Sequence, residues 1–344
     1  MVPGGRAPEA VSARRDPLLD NAKALLITLV VLGHAVEPLR GTAAADGLYF
    51  WVYSFHMPAF ILVSGYLSRS FDGAPHRLDR LVVGVGLPYL AFWVIQNTER
   101  WALGTDGVRS SPLDPVWTLW FLVALFVWRL SVPVWRRLRA PVAVAVGVSM
   151  AVALVGDAGV LDLHRVLGLL PFFVLGLALR PEHLERLRRT PVRVAAAVAL
   201  LAAAAAAVPL ADALGFEWVY WRAGIGQTGI GTASGMLIRS AFLAGAAVLS
   251  LAVVALVPRR RGLFTRLGEA SMYVYLGHAP LLVLLRWTGF YEAVPGPAAG
   301  IAAAAAVTAA LLAVLASPFF RAATRWIVEP DVRWPVAGKE SGNG

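Results

Sequence analysis

Long runs of apolar residues alternate with short polar segments along almost the whole chain. A helix that rises 1.5 Å per residue needs roughly 17 to 25 mainly apolar residues to cross a bilayer. Ten runs come close to this length, at residues 18–39, 47–67, 79–98, 115–135, 141–156, 163–179, 191–209, 235–257, 267–287 and 298–320. The fifth and sixth are the weakest, because they are short and are separated by GDAGVLDLHR. The pattern predicts an all-α polytopic membrane protein with about ten transmembrane helices.

Basic residues are concentrated on one side of these predicted spans. Of the 31 lysines and arginines, 22 lie on the side shared with the two termini, 7 lie on the opposite side, and Lys23 and Arg129 lie inside spans. The positive-inside rule therefore predicts that both termini are cytoplasmic. Arginine nearly replaces lysine, 29 against 2, and alanine is abundant, as in proteins of high-GC bacteria, so we expect a multi-pass protein of the bacterial inner membrane. We expect a flexible tail at 1–15, a transmembrane domain at 16–328 and a second flexible tail at 329–344, and the N-terminal segment lacks the apolar core of a cleaved signal peptide.

Composition agrees with a membrane protein and narrows the chemistry. Hydrophobic residues make up 58% of the 344 residues, charged residues make up 15%, and the mean hydropathy is +0.66. The net charge of +10 does not predict nucleic-acid binding, because the basic residues form short clusters between apolar spans. The chain has no cysteine, which excludes disulfides, thiolate metal sites and a cysteine nucleophile. Catalytic candidates are therefore histidine, aspartate, glutamate or serine, and we predict no metal site.

The first predicted span carries four ionisable side chains on one face. At about 100° of rotation per residue, Asp20, Lys23, His34 and Glu37 fall within a single stripe. Charges at membrane depth are costly, so such residues usually line a cavity or pair with one another. Two local ion pairs with i, i+3 spacing are one interpretation, and a histidine oriented by a carboxylate, as in a general base, is the other. The second is favoured, because snorkelling toward the membrane surface explains the ends of the stripe but not His34.

Two further histidines lie within predicted spans. His56 is followed two residues later by Pro58, and His278 is followed two residues later by Pro280. Taken alone, each histidine is more typical of hydrogen-bonded helix packing than of catalysis. The prolines add weight to a cavity, because they free backbone groups that need another partner. We keep both histidines as supporting candidates.

Two residue pairs lie near span boundaries, and the first of them has both a common and a more specific interpretation. Arg77 and Arg80, spaced i, i+3 at the start of the third span, are typical of a cytoplasmic loop. Two guanidinium groups on one helix face also suit a phosphate group. Trp117 and Trp120, near the outer boundary of the fourth span, are typical of an aromatic belt.

Six segments in order carry a resemblance to a known family. They read DNAKALLITLVVLGHAVEPL, FHMPAFILVSGYL, RLDR before LVVGVGLPYL, LWFLVALF, LLPFFVLGLAL and EASMYVYLGHAPLL. From Asp16 to about Arg325 the chain resembles the acyltransferase-3 family of integral-membrane proteins, in particular its fucose 4-O-acetylase-like branch. The resemblance implies about ten spans. It also implies transfer of acetyl or other acyl groups from cytoplasmic acyl-CoA to sugar hydroxyls of exported glycans or lipid-linked saccharides.

The resemblance also assigns roles to individual residues. His34 matches the essential histidine of the family's first helix, and Lys23 matches a basic position 11 residues before it that is frequently arginine. Arg77 and Arg80 match an R-x-x-R motif implicated in binding the acyl donor. The resemblance thus implies acyl-CoA as a donor co-substrate, with no permanently bound cofactor.

Together, the stripe and the resemblance predict a division of labour. Lys23, Arg77 and Arg80 would hold the donor phosphates, with Asp20 fixing Lys23. At the other end of the stripe, His34, oriented by Glu37, would deprotonate an acceptor hydroxyl as it attacks the thioester. A covalent acyl-histidine is the alternative that the sequence leaves open.

We also predict a hydrogen-bond donor for the oxyanion that forms at the reacting thioester carbonyl. His56 or His278 would donate a hydrogen bond to the thioester oxyanion.

A transporter is the alternative function class. The same polar side chains could form a proton relay coupled to export of a saccharide or a lipid-linked substrate. A third possibility is a glycan-modifying subunit without catalysis of its own. The absence of an inverted repeat in the span pattern, and the clustering of the strongest motifs in the first three spans, favour an enzyme.

Overall fold

All regular secondary structure among the residues that the structure describes is helical. The computed structural model describes residues 17–156 and 159–331, so the predicted tail at 1–15 and residues 332–344 of the second predicted tail lie outside the described residues. The α-helices are α1 (Pro17–Val36), α2 (Ala43–Leu67), α3 (Pro75–Leu81), α4 (Leu87–Leu103), α5 (Trp120–Trp135), α6 (Pro141–Val152), α7 (Leu163–Gly168), α8 (Leu170–Ala178), α9 (Pro181–Leu187), α10 (Thr190–Leu214), α11 (Glu217–Tyr220), α12 (Thr232–Leu256), α13 (Leu263–Glu269), α14 (Ser271–Trp287), α15 (Gly296–Leu315) and α16 (Pro318–Val328). The prediction of an all-α protein is confirmed.

Seven helical segments in the described part are long and apolar enough to cross a membrane. They are Pro17–Leu39, Ala43–Leu67, Pro75–Leu103, Trp117–Trp135, Thr190–Leu214, Thr232–Leu256 and Gly296–Leu315. An eighth crossing is possible if Val160–Gly168 and Leu170–Ala178, which meet at a bend of 50°, form one broken span. The chain is therefore a multi-pass membrane protein with seven or eight candidate spans by length and composition.

The fifth predicted span is shorter in the structure than in the sequence prediction. Helix α6 ends at Val152, and the next carbonyl, that of Ala153, accepts a hydrogen bond from the backbone N–H of Ile225 at 2.7 Å. The segment around Gly224 packs so closely here that a Cβ on this glycine would lie 2.1 Å from the carbonyl oxygen of Val155. A tertiary contact therefore replaces the last helical turn.

The ninth predicted span, 267–287, is divided between two helices. Helix α13 ends at Glu269, and α14 begins at Ser271 and has 17 residues. This is at the lower limit of the length that a crossing needs.

The tenth predicted span, 298–320, is two helices. Helix α15 ends at Leu315, and Ser317 then caps α16 by accepting the backbone N–H of Phe320 at 3.1 Å. Phe319 and Trp326 are 84% and 72% exposed, and arginines occupy other faces of the same helix. A short helix with this amphipathic pattern is typical of a membrane interface.

Close backbone contacts between α2 and α8 form the centre of the bundle. A Cβ on Gly65 would lie 2.1 Å from the carbonyl oxygen of Phe173, and a Cβ on Gly176 would lie 2.1 Å from that of Leu62. Only glycine permits this approach, as at other small-residue helix interfaces in membranes. Helix α2 also packs against α1, α10 and α12, so its residues face several neighbours.

The first turn of α1 is fixed by the segment that leads into α13. The amide of Asn21 donates to the carbonyl oxygens of Pro258 (2.7 Å) and Arg260 (3.0 Å), and its oxygen accepts from the Thr265 hydroxyl (2.8 Å). Gly268 contacts the same turn so closely that a Cβ at this position would lie 1.8 Å from the carbonyl oxygen of Asp20. This end of the predicted polar stripe is therefore packed against protein.

Candidate active site

A cavity of about 390 Å³ contains three of the predicted site residues, His34, Glu37 and His56. We call it the histidine cavity. Much of its remaining wall is aromatic, formed by Tyr49, Tyr53, Trp117, Trp120, Phe216, Tyr220, Trp221 and Tyr275. Its size is that of a small-molecule site.

Two oxygen atoms lie close to the same ring nitrogen of His34. Nδ1 lies 3.5 Å from Oε2 of Glu37 and 3.2 Å from the Tyr53 hydroxyl oxygen. A carboxylate only accepts hydrogen bonds, so the contact with Glu37 favours the proton on Nδ1. Nε2 is then the unprotonated nitrogen, which is the state required of a general base.

Glu37 is positioned in turn by Arg286, which the sequence prediction did not include. Pro38 follows Glu37 in the 3-10 turn Glu37–Leu39 that continues α1. Nη2 of Arg286 donates to Oε2 of Glu37 at 2.9 Å and to the backbone carbonyl oxygen of His34 at 2.8 Å. Glu37 therefore both lies at the end of the helix and contacts the histidine.

Trp117 belongs to this site and not only to a membrane-interface belt. Its ring lies 4.7 Å from the His34 ring, and the Arg286 guanidinium lies 4.9 Å above it. Its φ of 39° is unusual for a residue other than glycine, and such strain is concentrated at functional sites.

His56 and His278 have the same hydrogen-bond arrangement. Nδ1 of His56 lies 2.8 Å from the carbonyl oxygen of Val52, and Nδ1 of His278 lies 3.1 Å from that of Val274. A carbonyl accepts only, so each neutral ring carries its proton on Nδ1 and presents a lone pair at Nε2. A neutral histidine of this tautomer has no Nε2 proton to donate, which weighs against the predicted oxyanion role.

His278 nonetheless lies close to the centre of the site. Its ring is stacked on that of His34, with ring centres 5.5 Å apart, and its Nε2 has no hydrogen-bond partner among the described residues. In the described ranges, no three histidine, aspartate or glutamate side chains are grouped as metal ligands.

Charged side chains at the rim of the histidine cavity are paired. Arg40 pairs with Asp46 (3.7 Å), Arg165 with Asp162, and Arg222 with Glu217 (3.0 Å). The Tyr220 hydroxyl accepts a hydrogen bond from Arg40 at 2.8 Å, and burial raises its pKa, so this phenol is neutral. The rim therefore has aromatic surface and hydrogen-bonding groups with little uncompensated charge.

Asp20 and Lys23 are separate from the histidine cavity. Nζ of Lys23 lies 2.8 Å from Oδ1 of Asp20, and neither residue lines the histidine cavity or the second cavity described next. The predicted stripe is thus divided into a packed ion pair near the start of α1 and a histidine site at its end.

A second cavity of about 380 Å³ contains the predicted Arg77 and Arg80 together with Arg129 and His76. We call it the arginine cavity. The Arg77 side chain is held by Asp72 (3.3 Å) and by the backbone oxygen of Ser70. The pKa of Asp72 is lowered by the backbone N–H of Ala74 and by Arg77, so this carboxylate stays ionised.

The two cavities lie toward opposite ends of the same two helices. On α2, Met57 lines the histidine cavity and Leu67 lines the arginine cavity, which corresponds to roughly 15 Å along the axis. On α5, Trp120 and Arg129 are separated by roughly 14 Å. Buried apolar side chains fill the section between them, including Phe60, whose ring contacts that of Phe121.

Three contributors were absent from the sequence prediction: Tyr53, Arg286 and Arg129. Tyr53 precedes His56 by three residues, so helical spacing could have placed the two on one face. Arg129 was recognised as a charge inside a span but was not assigned a function. Arg286 was counted only as a basic residue on the less basic side.

Comparison with known proteins places this chain in a family. The family model described as an acyltransferase domain matches residues 16–318. The chain belongs to the acyltransferase-3 family. It is therefore a multi-pass membrane protein of this family.

Two curated relatives are similar to part of the chain. The nodulation protein NolL of Mesorhizobium japonicum is 32% identical over 131 residues, covering 33% of this chain and 34% of the relative. The nodulation protein NolL of Sinorhizobium fredii is 34% identical over 137 residues, covering 33% and 35%. The match thus spans about a third of the length of these relatives, and no solved structure matches the chain.

Proposed function

We propose that this protein is a membrane-embedded O-acetyltransferase that moves an acetyl group from cytoplasmic acetyl-CoA to a hydroxyl of a saccharide or glycolipid acceptor. The observation that carries the proposal is the contact series Arg286, Glu37 and His34 at the wall of a cavity, in a member of an acyltransferase family. A histidine oriented by a fixed carboxylate is suited to general-base catalysis.

The reaction begins with the acceptor hydroxyl beside Nε2 of His34. As the hydroxyl oxygen attacks the thioester carbonyl carbon, Nε2 accepts the hydroxyl proton, and a carbon–oxygen bond forms. The carbon–sulfur bond then breaks, and the proton passes from His34 to the departing thiolate. Glu37 and Arg286 hold the ring and offset the positive charge that develops on it.

Donor and acceptor use different ends of the bundle in this proposal. Arg77 and Arg80 in the arginine cavity bind the phosphates of acetyl-CoA by charge-assisted hydrogen bonds. Lys23 pairs with Asp20 outside that cavity, so we assign these two residues to fixing the start of α1.

The acceptor assignment rests on the wall of the histidine cavity. Aromatic rings pack against the apolar faces of sugar rings, and the hydroxyls of a sugar need hydrogen-bonding groups such as the Tyr53 and Tyr220 phenols. Two relatives similar to part of the chain are named nodulation proteins, and the sequence resembles a fucose 4-O-acetylase-like branch. A saccharide acceptor is consistent with all of these features.

We further propose ten crossings with both termini cytoplasmic, in a bacterial inner membrane. Eight of these crossings are the candidate spans described above, with the bent pair counted as one. The other two are α6 and α14, which are shorter. Since the chain has no natural cysteine, single-cysteine variants test this directly. Arg139→Cys and Val160→Cys should react with an impermeant maleimide from opposite sides, as should Phe264→Cys and Glu292→Cys. Labelling of either pair from one side would contradict ten crossings.

Labelled acetyl-CoA added to membranes tests the function. We expect label in a saccharide or glycolipid fraction, and we expect His34→Ala to reduce the rate by about 10² to 10⁴. His183→Ala on α9, outside both cavities, is the matched control. A fully active His34→Ala variant would overturn the general-base assignment. Saccharide export without acylation by wild-type protein would instead favour a transporter.

A further inference from the structure

The charged side chains that line the arginine cavity are all basic. Three arginines and one histidine contribute to its wall, and no carboxylate does. Asp72 holds Arg77 from outside the lining, whereas Arg80 and Arg129 form no ion pair with a carboxylate in the part of the chain that the structure describes. The cavity therefore has an excess of positive charge that an anion would neutralise.

Arg129 is the least expected member of this group. It lies within α5, in the apolar stretch LFVWRLSVPVW, about six residues or roughly 9 Å before the end of the helix. Ionisable residues at such positions are costly and usually face a cavity or a partner. Its Nε donates to the Ser68 hydroxyl at 3.2 Å, and Ser68 in turn donates to the backbone oxygen of Ser64 at 2.8 Å.

The contact with Ser68 also explains the direction of this side chain. A long arginine near a helix end can extend along lipid toward the membrane surface. Here the hydrogen bond turns the guanidinium toward α2 and the cavity that Ser68 also lines. Guanidinium groups match phosphate oxygens in planar, two-point hydrogen bonds, so the terminal nitrogens suit a phosphate ligand.

We infer that Arg129, together with Arg80, binds a phosphate group of the acyl donor in the arginine cavity. This inference rests on the proposed function and names a donor-binding residue outside the R-x-x-R segment. Arg77 contributes the third cation of the cavity, although its side chain is also engaged by Asp72 and Ser70. The phosphate-bearing end of the donor is held here, and its thioester arm must pass the packed section around Phe60 and Phe121 to reach the histidine cavity, roughly 15 Å away along α2.

The test compares two donors that differ in phosphate content. Acetyl-CoA carries phosphates, and S-acetylpantetheine carries the same thioester without them. We expect Arg129→Ala to raise KM for acetyl-CoA about tenfold and to leave kcat/KM for S-acetylpantetheine within about twofold. Arg129→Lys should recover part of the loss, because it restores the charge without the planar fork. An equal loss with both donors, or no loss with either, would overturn the inference.

Arg137→Ala provides the matched control. Arg137 is an exposed arginine just beyond the end of α5 and does not line the arginine cavity. Arg137→Ala therefore removes one positive charge and leaves the arginine cavity unchanged. Its KM values should equal those of the wild type. If Arg129→Ala does not fold, Arg129→Lys still decides the question by its effect on the two donors.

A lipid headgroup could supply the same phosphate chemistry, and nanodisc composition distinguishes the two sources. We expect the effect of Arg129→Ala on acetyl-CoA to be equal in phosphatidylcholine nanodiscs with and without phosphatidylglycerol. An effect confined to phosphatidylglycerol would identify a lipid site and overturn the inference.

Direct binding of CoA by calorimetry separates this inference from the proposed function. Weaker CoA binding by Arg129→Ala than by wild type supports the site even if no acetyl transfer is found. Unchanged CoA binding would overturn it.

Discussion

The histidine cavity and the arginine cavity are built on the same two helices, yet their charges are arranged in opposite ways. In the histidine cavity, Glu37 lies between His34 and Arg286, and the rim arginines have carboxylate partners. In the arginine cavity, Arg80 and Arg129 have no carboxylate ion pair in the described part of the chain. Internal pairing fixes the geometry of a base, whereas unpaired cations leave binding energy for an anionic ligand.

This difference predicts a separation in kinetics. Substitutions in the histidine cavity should act on kcat, because they alter a group that functions during bond making. Substitutions in the arginine cavity should act on KM for the donor, because its phosphates do not change during the reaction.

After His34→Ala, the largest effect that we expect is from Glu37→Gln. The amide keeps the shape but removes the negative charge that orients His34 and pairs with Arg286, so kcat should fall about 100-fold. KM for acetyl-CoA should stay within about twofold. Steady-state transfer assays on purified protein measure both constants, and Glu292→Gln, exposed in the loop after α14, is the control. A change in KM alone would contradict the proposed difference between the histidine cavity and the arginine cavity.

An intermediate effect is expected from the double variant Arg77→Ala and Arg80→Ala. Loss of two cations from the arginine cavity should raise KM for acetyl-CoA about tenfold with kcat nearly unchanged. The matched control is Arg186→Ala with Arg189→Ala, an exposed pair with the same i, i+3 spacing. If both double variants behave alike, the effect is one of general surface charge.

The smallest effect is expected from Tyr53→Phe. The change removes one hydroxyl 3.2 Å from Nδ1 of His34 and leaves Glu37 in place. A single hydrogen bond contributes about 1 kcal/mol, so kcat should fall about threefold to tenfold. A loss as large as that of Glu37→Gln would show that Tyr53, and not the carboxylate, is the main group that orients the ring.

Helical periodicity placed part of the candidate site correctly. It put His34 and Glu37 on one face of the first span, and the structure brings Nδ1 and Oε2 within 3.5 Å because i, i+3 positions are neighbours on a helix. It grouped Asp20 and Lys23 with them, but these two lie about three to four turns from His34 along the same helix and pack against other segments. A shared face does not imply a shared cavity.

Span counting succeeded for long uninterrupted helices and was less reliable where tertiary contacts end a helix. The four candidate spans Ala43–Leu67, Thr190–Leu214, Thr232–Leu256 and Trp117–Trp135 lie close to their predicted bounds. Helix α6 ends early because Ile225, far along the chain, takes the Ala153 carbonyl. Hydropathy does not contain that information.

The sequence by itself determined the membrane class, the all-α architecture, the family and the pairing of His34 with Glu37, because these depend on composition and on contacts within a few residues. Only the tertiary structure decided that Arg286 completes the pair, that Trp117 contacts the histidine, and that Arg129 joins Arg77 and Arg80. Each of these contacts joins residues more than 45 positions apart in sequence. Their meeting depends on how helices pack, through close approaches such as Gly65 on Phe173, which no local pattern encodes.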